Sequence, residues 1–212
     1  MKEKYNSIKR KQVLRIVFVF IALCIFGSLV YSSIQVETSE ELLLKYREEK
    51  DDFFRKSIKS PIVDKQSFEG LSYFAPNSDY KVKAFLQFTK DTQLISMPRT
   101  DGKESFYLAF AKANFKLNKK LYSLTLYKHP DENGNKPNLF LPFMDKTNGK
   151  TTYSGGRYLD IEMTNNETII IDFNKAYNPF CVYNYQYTCP IPPKVNQLDI
   201  EIPAGEKVYL KQ

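Results

Sequence analysis

The sequence predicts a mainly β protein, with one antiparallel β-sandwich or small barrel that follows a transmembrane helix and an amphipathic helix. After Pro61, apolar and polar residues alternate in short runs rich in Tyr, Phe, Ile and Thr, as is typical of strands. Turn residues separate these runs, and no second helical stretch follows them. Before Pro61, an uncharged apolar run is followed by a charged segment with helical spacing.

The first segment, residues 1–15, is a basic cytoplasmic tail. It contains six Lys or Arg residues and one Glu. The tail therefore carries +5 of the formal net charge of +7, which leaves +2 for the rest of the chain. A nucleic-acid-binding module would carry its basic residues on the folded part, so this distribution argues against nucleic acid as a partner.

The next segment, residues 16–34, predicts a transmembrane helix. It has no charged residue and is long enough to cross the lipid bilayer as a helix. Because basic residues precede it and Glu37, Glu40 and Glu41 follow it, we expect a single-pass protein of the bacterial inner (cytoplasmic) membrane. The C-terminal domain would then be periplasmic or otherwise extracytoplasmic. Two alternatives are a signal peptide cleaved near residues 30–32 and lipidation at Cys24.

Residues 35–60 predict an amphipathic stalk helix. Thr38 and Glu41 have the spacing of a capping box, and Pro61 ends the segment. An apolar stripe at helical spacing contains Leu43, Tyr46, Phe53 and Phe54. The polar face mixes both charges, which favours docking on the following domain over binding to lipid headgroups or to a partner.

Residues 61–212 predict the β-rich domain, and two neighbouring runs suggest a register. The runs RYLDIEM and ETIIIDF both alternate, so we expect a hairpin that pairs Leu159 with Ile171 across a turn at residues 164–166. This pairing would set Tyr158 opposite Asp172 and leave Asp160 on the same second face. Two carboxylates beside a tyrosine suggest a role other than packing.

The stretch FMDKTNGKTTYSGGRYLD, residues 143–160, predicts a turn that could bind an anion. Gly155 and Gly156 allow positive φ, and successive N–H groups in such a turn can form an anion nest. Arg157 could then clamp a carboxylate or phosphate. The alternative is that Arg157 pairs internally with Asp160 or Asp172 and braces the turn.

The stretch DFNKAYNPFCVYNYQYTCPIPP, residues 172–193, predicts an irregular loop. Asp172 and Asn174 suit an Asx turn. The tyrosines could line a shelf for a sugar or lipid, or could simply cover one end of the barrel: Tyr177, Tyr183, Tyr185 and Tyr187. Outside the cytoplasm Cys181 and Cys189 would tend to form a disulfide. Their spacing does not suit zinc, and the sequence indicates no metal and no cofactor.

Three stretches occur in order and together resemble a known family: LPFMDKTNGKTTYSGGRYLD, DFNKAYNPFC and TCPIPPKVNQLDIEIPAGEKVY. They resemble the bacterial and archaeal domain-of-unknown-function family 1684, from about Glu40 to the C-terminus, with the membrane segment as an addition. The resemblance implies no established activity. It marks Asp145, Thr147, Gly149, Thr152, Tyr153, Gly156, Arg157, Tyr158, Asp172, Asn174, Tyr177, Asn178, Pro179, Cys181, Cys189, Pro190, Asn196, Gly205 and Glu206.

Three functional hypotheses follow. The leading one is a domain that binds a small polar or glycan-like ligand through Asp145, Thr147, Thr152, Tyr153, Arg157, Tyr158, Asp172, Asn174, Tyr177 and Asn178. The second is a hydrolase that uses Asp160, Asp172 or Glu206 as general acid or base. The third is a structural or protein-interaction domain. A cleft with two carboxylates about 5–10 Å apart would favour acid–base chemistry, whereas one carboxylate among aromatic walls would favour binding.

The predicted topology can be tested with reporters fused to the C-terminus. We expect a C-terminal alkaline phosphatase fusion to be active and a fusion that works only in the cytoplasm to be inactive, because the Lys and Arg residues precede residues 16–34. An active cytoplasmic reporter would show that the predicted orientation is wrong.

Overall fold

The computed structural model of the chain describes residues 17–25, 38–89, 94–131, 138–163 and 167–209. The chain divides into two compact units, Met1–Leu42 and Leu43–Gln212. The predicted tail at residues 1–15 and the predicted turn at residues 164–166 lie outside the described residues.

In the first unit, residues 17–25 are helical and exposed. The rest of the predicted transmembrane helix, residue 16 and residues 26–34, lies outside the described residues. Within the parts of the chain that the structure describes, no helix is long and apolar enough to span a membrane. The transmembrane helix therefore stays a prediction.

Helix α1, Ser39–Lys56, begins at the predicted capping box. The Glu41 N–H donates to Thr38 Oγ1 at 3.2 Å, and the Thr38 N–H donates to Glu41 Oε2 at 2.7 Å. Each side chain thus satisfies a backbone donor that the first turn of a helix leaves without a partner.

Within the second unit, α1 docks on the β-rich domain. Phe54 is buried, and its ring centroid lies 4.9 Å from that of Tyr183 and 6.0 Å from that of Phe68. Arg47 donates to the carbonyl oxygens of Phe74 at 2.9 Å and Asn174 at 3.2 Å. Aromatic packing and the hydrogen bonds of the buried Arg47 side chain therefore attach the helix to the domain.

One antiparallel, nearly closed, barrel-like sheet forms the core of the domain. The strand order is β6–β5–β4–β3–β1–β7, and β2 pairs with β3 beside this path. The strands are β1 (Lys81–Phe88), β2 (Leu94–Pro98), β3 (Glu104–Leu117), β4 (Lys120–Lys128), β5 (Asn138–Phe143), β6 (Arg157–Glu162) and β7 (Thr168–Asp172). The prediction of a mainly β, antiparallel fold is confirmed, and the structure selects the barrel over the sandwich.

The predicted hairpin register is wrong. Strand β6 pairs with β5, so that Leu159 lies opposite Leu141, and β7 pairs with β1, so that Ile171 lies opposite Val82. All four side chains point into the core. The alternation in each run correctly indicated which side chains face the core. Alternation does not specify which strand lies beside the run, because any strand with the same inward face can pair with it. The expected opposition of Tyr158 and Asp172 fails with this register.

The side chain of Asn196 connects β4 and β5 where these strands have no backbone hydrogen bonds to each other. These strands pair only at Tyr127 and Phe140, and Pro142 has no N–H to donate. The buried Asn196 amide accepts from the Thr125 N–H at 2.7 Å and donates to the carbonyl oxygens of Thr125 and Pro142, both at 2.8 Å. One side chain thus replaces missing backbone pairing between two strands.

Replacing Asn196 by Ala should destabilise the domain. The change leaves three buried backbone groups, on Thr125 and Pro142, without their partner. Because each such group costs about 1–3 kcal/mol, we expect a loss of roughly 3 kcal/mol or more in the free energy of unfolding, measured by urea denaturation. As a control, Asn114→Ala on the outer face should change stability by less than about 0.5 kcal/mol. Equal effects of the two substitutions would contradict the bridging role.

Candidate functional site

A fully buried ion pair joins strand β6 to the loop that follows β5. Arg157 Nη2 donates to Asp145 Oδ2 at 2.8 Å, and both side chains have 0% exposure. The same guanidinium donates to the carbonyl oxygens of Ile202 at 2.9 Å, Ala204, and Glu206 at 3.3 Å. Burial lowers the pKa of Arg157 while Asp145 raises it, and arginine stays protonated in proteins.

The second carboxylate oxygen of Asp145 organises its own loop. Asp145 Oδ1 accepts from the Thr147 N–H at 2.8 Å, the Thr147 hydroxyl at 2.5 Å and the Ile202 N–H at 3.2 Å. The hydroxyl groups of Thr147 and Thr152 lie 2.8 Å apart. We call Asp145, Thr147, Thr152 and Arg157 the Arg157 cluster. All four are buried, so the cluster braces the fold and offers no face to a ligand.

Gly156 is required where the chain enters β6. Its φ is +92°, and an added Cβ would lie 2.7 Å from both the Phe143 carbonyl oxygen and Pro192 Cγ. The glycine therefore permits a close backbone approach that turns the Arg157 side chain inward. The Arg157 side chain is thus engaged internally and cannot clamp an external anion, and the bracing alternative holds with Asp145 as partner in place of Asp160 or Asp172.

The predicted Asx turn is confirmed, and it connects distant segments. Asp172 Oδ1 accepts from the Asn174 N–H at 3.1 Å and from Asn174 Nδ2 at 2.9 Å. The Asn174 side chain also accepts from the Asn77 N–H at 2.9 Å and donates to the Asn77 carbonyl oxygen at 2.8 Å. Asn174 is buried. These two residues therefore hold the start of β1 against the end of β7.

Glu206 lies in a second buried polar group, next to α1. Its carboxylate pairs with Lys50 Nζ at 2.6 Å and accepts from the Tyr183 hydroxyl at 2.6 Å and the Asn178 N–H at 2.8 Å. Glu206 is 1% exposed. Asn178 donates from its side chain to the Lys207 carbonyl oxygen at 2.8 Å. Glu206 and Asn178 thus attach α1 and the C-terminal segment and do not reach solvent.

The loop carrying Tyr177 contacts strand β6, as the sequence predicted for residues 143–160 and 172–193. Tyr158 and Tyr177 exchange backbone hydrogen bonds at 2.9 and 3.0 Å. The Tyr158 ring is buried, and its hydroxyl donates to the Pro190 carbonyl oxygen. The Tyr177 hydroxyl donates to Asp160 Oδ2 at 3.0 Å. The two stretches do meet, although through this bridge and not through the predicted hairpin.

An open cleft lies between α1 and this bridge. Its volume is about 370 Å³. Its walls are Tyr46, Glu49, Lys50, Phe53 and Phe54 from α1, with Asp160, Tyr177 and Phe180 from the β-rich domain. Of the residues predicted from the sequence to be ligand-binding or catalytic, Asp160 and Tyr177 line this cleft.

The electrostatics of the cleft depend on partial burial. Desolvation raises the pKa of the Asp160 carboxyl, although the Tyr177 hydrogen bond and the Lys50 charge oppose the shift. Burial and the negative charge of Glu206 raise the pKa of Tyr46 to about 12. Burial, with Asp160 close by, also raises the pKa of Tyr177. Both phenols therefore remain protonated donors at neutral pH.

Sequence reasoning missed the contribution of α1 to this site. Tyr46, Glu49, Lys50 and Phe53 are spaced by three, one and three residues, which puts them on one face of a helix. The apolar members of this face were recognised as packing residues. The spacing alone could have added Glu49 and Lys50, but it could not show that Asp160 lies across from them.

Cys181 and Cys189 are free thiols that lie in contact. The Cys181 N–H points to Cys189 Sγ at 3.4 Å. The hydrogen bond from the Cys181 thiol lowers the pKa of Cys189 and raises that of Cys181. Tyr153 packs beside this pair and, like the cysteines, lies outside the cleft. The disulfide stays a prediction for an oxidising compartment.

Comparison with known proteins relates this architecture to a family. Residues 66–207 match the model described as "Protein of unknown function (DUF1684)". The chain belongs to the DUF1684 family. Helix α1, which supplies five of the eight residues that line the cleft, precedes the residues matched by the DUF1684 model. Among the described residues, no group of three or more His, Cys, Asp or Glu side chains could hold a metal ion.

A solved structure has the same fold. The solution NMR structure of the uncharacterized protein from gene locus rrnAC0354 of Haloarcula marismortui is 35% identical in sequence, with a TM-score of 0.65. The match covers 82% of this chain and 96% of that chain. Comparison with curated proteins gives no match.

The bracing role of Arg157 predicts a large effect of truncation. Arg157→Ala leaves the Asp145 carboxylate buried without a cation and four hydrogen bonds unmade. We expect a loss of about 3–5 kcal/mol in the free energy of unfolding, measured by urea denaturation. The double variant Asp145→Leu/Arg157→Met should recover part of this loss, because it removes both charges.

The exposed pair of Lys146 and Asp199, 2.6 Å apart, provides the control. Lys146→Ala should leave the unfolding curve unchanged, since solvent screens this pair. An equally small effect of Arg157→Ala would exclude the bracing role.

Proposed function

We propose that this protein binds a small, polar, hydroxyl-bearing ligand of the glycan type in the cleft, as a membrane-anchored domain outside the cytoplasm. The observation that carries the proposal is the lining of the cleft, which combines four partly exposed aromatic rings with the exposed carboxylates of Asp160 and Glu49. A volume of about 370 Å³ is at the lower end of the range for small-molecule sites, which suits one or two sugar rings.

The aromatic walls suit the apolar faces of a sugar. Phe53 is 37% exposed, and Tyr46, Tyr177 and Phe180 are half-buried, so ring surface remains available in the cleft. Aromatic side chains provide large contact areas at low cost in conformational entropy, and tyrosine adds a hydroxyl that can hydrogen-bond. Phe53 and Phe180 each contact the buried Phe54 ring, with ring centroids 5.9 and 6.0 Å away, and Phe54 packs in turn against Phe68 and Tyr183.

The charges in the cleft favour a neutral ligand over an anion. Asp160 and Glu49 are exposed carboxylates that would repel a negative group. Lys50 does not offset them for a ligand, since its ammonium group pairs with Glu206 at 2.6 Å and lies 4.3 Å from the Tyr177 ring centroid. Carboxylates accept hydrogen bonds from hydroxyl groups, which is the polar chemistry that a sugar offers.

The membrane anchor in this proposal comes from the sequence. Residues 16–34 are uncharged and follow a tail with six basic residues, so an inner-membrane protein with an outward-facing domain is the arrangement that we propose. A domain outside the cytoplasm would meet cell-wall and environmental saccharides, which agrees with the chemistry of the cleft.

Asp160→Asn should weaken ligand binding. The full-length protein in detergent is titrated with a panel of mono- and disaccharides, and amide chemical shifts report binding. We expect shifts centred on Tyr46, Lys50 and Tyr177, and a loss of about 1.5–3 kcal/mol in binding free energy for Asp160→Asn, as for a hydrogen bond to a charged group. The matched control is Asp131→Asn, at a side chain that is 90% exposed in a loop outside the cleft. A panel that shifts no residue of the cleft would overturn the proposal.

A second candidate is a hydrolase with Asp160 as general acid or base. The observation in its favour is that desolvation raises the pKa of Asp160 and that the cleft contains a second carboxylate, Glu49. Of the catalytic candidates from the sequence, Asp172 is tied into its turn and Glu206 is buried, which leaves Asp160. Hydrolysis of aryl glycosides by the same protein, lost in Asp160→Asn but not in Asp131→Asn, would favour this candidate.

A further inference from the structure

The outer face of the sheet separates positive from negative charge. We define the lysine face by outward residues of β1, β3, β4 and β7, namely Lys83, Phe85, Lys112, Lys116, Leu121 and Ile170. Strands β1 and β4 contain no Asp or Glu, and β3 contains none after Glu104. The acidic residues are concentrated elsewhere, for example in α1, whose sequence is SEELLLKYREEKDDFFRK. The domain has a small net charge, but lysines outnumber acidic residues on the outer face of β1, β3 and β4, which is therefore basic.

Cations and exposed apolar side chains form one row across four strands. Lys83 pairs with Ile170 of β7, and Lys116 pairs with Leu121 of β4. Ala84 lies opposite Phe115, so the neighbouring residues Lys83 and Lys116 are adjacent across β1 and β3. Two lysines thus lie side by side between Ile170, which is 43% exposed, and Leu121, which is 81% exposed.

The next rows continue this pattern. Phe85, which is 62% exposed, lies opposite Thr168 on one side and Asn114 on the other. Gln87 lies opposite Lys112, which is also exposed. Among the residues that the structure describes, Lys83, Lys112 and Lys116 form no ion pair, and Asp172 at the edge of the face is engaged by Asn174.

Like charges on adjacent strands destabilise a sheet unless an anion offsets them. The flanking apolar residues distinguish between anionic partners. A nucleic acid would favour aromatic platforms for its bases, whereas the side chains that border Lys83 and Lys116 in their row, Ile170 and Leu121, are aliphatic and suit a bilayer interface. There the ammonium groups reach lipid phosphates and the apolar side chains enter the acyl boundary.

We propose that the lysine face docks on an anionic phospholipid surface. This interaction is independent of the cleft and of the segment at residues 16–34. It would fix the orientation of the domain on the membrane, with the sheet against the lipid headgroups.

The chain contains no Trp, which allows a site-specific test in the full-length protein. Leu121→Trp puts a fluorophore on the lysine face, and Tyr185→Trp puts one at a comparably exposed site, 84% against 81%, next to the Phe180 loop. Each variant is mixed with vesicles of brominated phosphatidylcholine, with or without phosphatidylglycerol. We expect bromine to quench the fluorescence of the Leu121→Trp variant only when phosphatidylglycerol is present, and to leave the Tyr185→Trp variant unquenched.

A second pair of substitutions tests the lysines. Lys83→Glu/Lys116→Glu in the Leu121→Trp background should lower the apparent affinity for the anionic vesicles at least about tenfold, and Lys83→Gln/Lys116→Gln should have an intermediate effect. All variants should unfold like the parent, because the side chains are exposed.

Three outcomes would overturn the proposal. They are equal quenching with phosphatidylcholine alone, no quenching in either vesicle, and quenching that the lysine substitutions do not change. Binding of a single-stranded RNA oligonucleotide that depends on Lys83 and Lys116, without quenching by anionic vesicles, would instead identify the face as a nucleic-acid surface.

Discussion

The buried pair of Arg157 and Asp145 is the constraint on which the rest of the domain depends. Two charges without solvent contact are tolerated only when hydrogen bonds satisfy them, and here the partners include the carbonyl oxygens of Ile202, Ala204 and Glu206. Residues 202–206 form no strand, so the guanidinium takes the place of a sheet neighbour. Gly205, with φ of +78°, lets the segment pass, because an added Cβ would lie 2.6 and 2.7 Å from two carbonyl oxygens.

This brace reaches the cleft through a chain of contacts. Because Arg157 holds the backbone at Glu206, the Glu206 carboxylate is in position to pair with Lys50 of α1. Lys50 lies against the Tyr177 ring, and Tyr177 donates to Asp160. The polar residues that the sequence marked therefore divide into a buried set that supports the site and a smaller set that reaches solvent. The lysine face, on the outside of the sheet, takes no part in this chain.

Much of the local structure could be predicted, since its causes lie within a few residues. The capping box of Thr38 and Glu41, the Asx turn of Asp172 and Asn174, and the inward faces of β6 and β7 all follow from short-range chemistry. A carboxylate partner for Arg157 was also expected. The predicted partners, Asp160 and Asp172, were wrong, and the actual partner is Asp145. Asp145 follows β5, and neither strand alone shows that β5 pairs with β6. The lysine face was missed because net charge does not report which residues share a surface.

By itself, the sequence determined a mainly β, antiparallel domain, the start of α1 and the buried sides of β6 and β7, because alternation and capping act over a few positions. Only the tertiary structure decided which strands are neighbours and which polar residues meet. The physical reason is that an inward-facing apolar residue packs equally well beside any inward-facing partner, so Leu159 could not distinguish Leu141 from Ile171. The cleft brings Lys50 and Asp160, more than a hundred residues apart in the chain, to one surface only after β6 and α1 have docked.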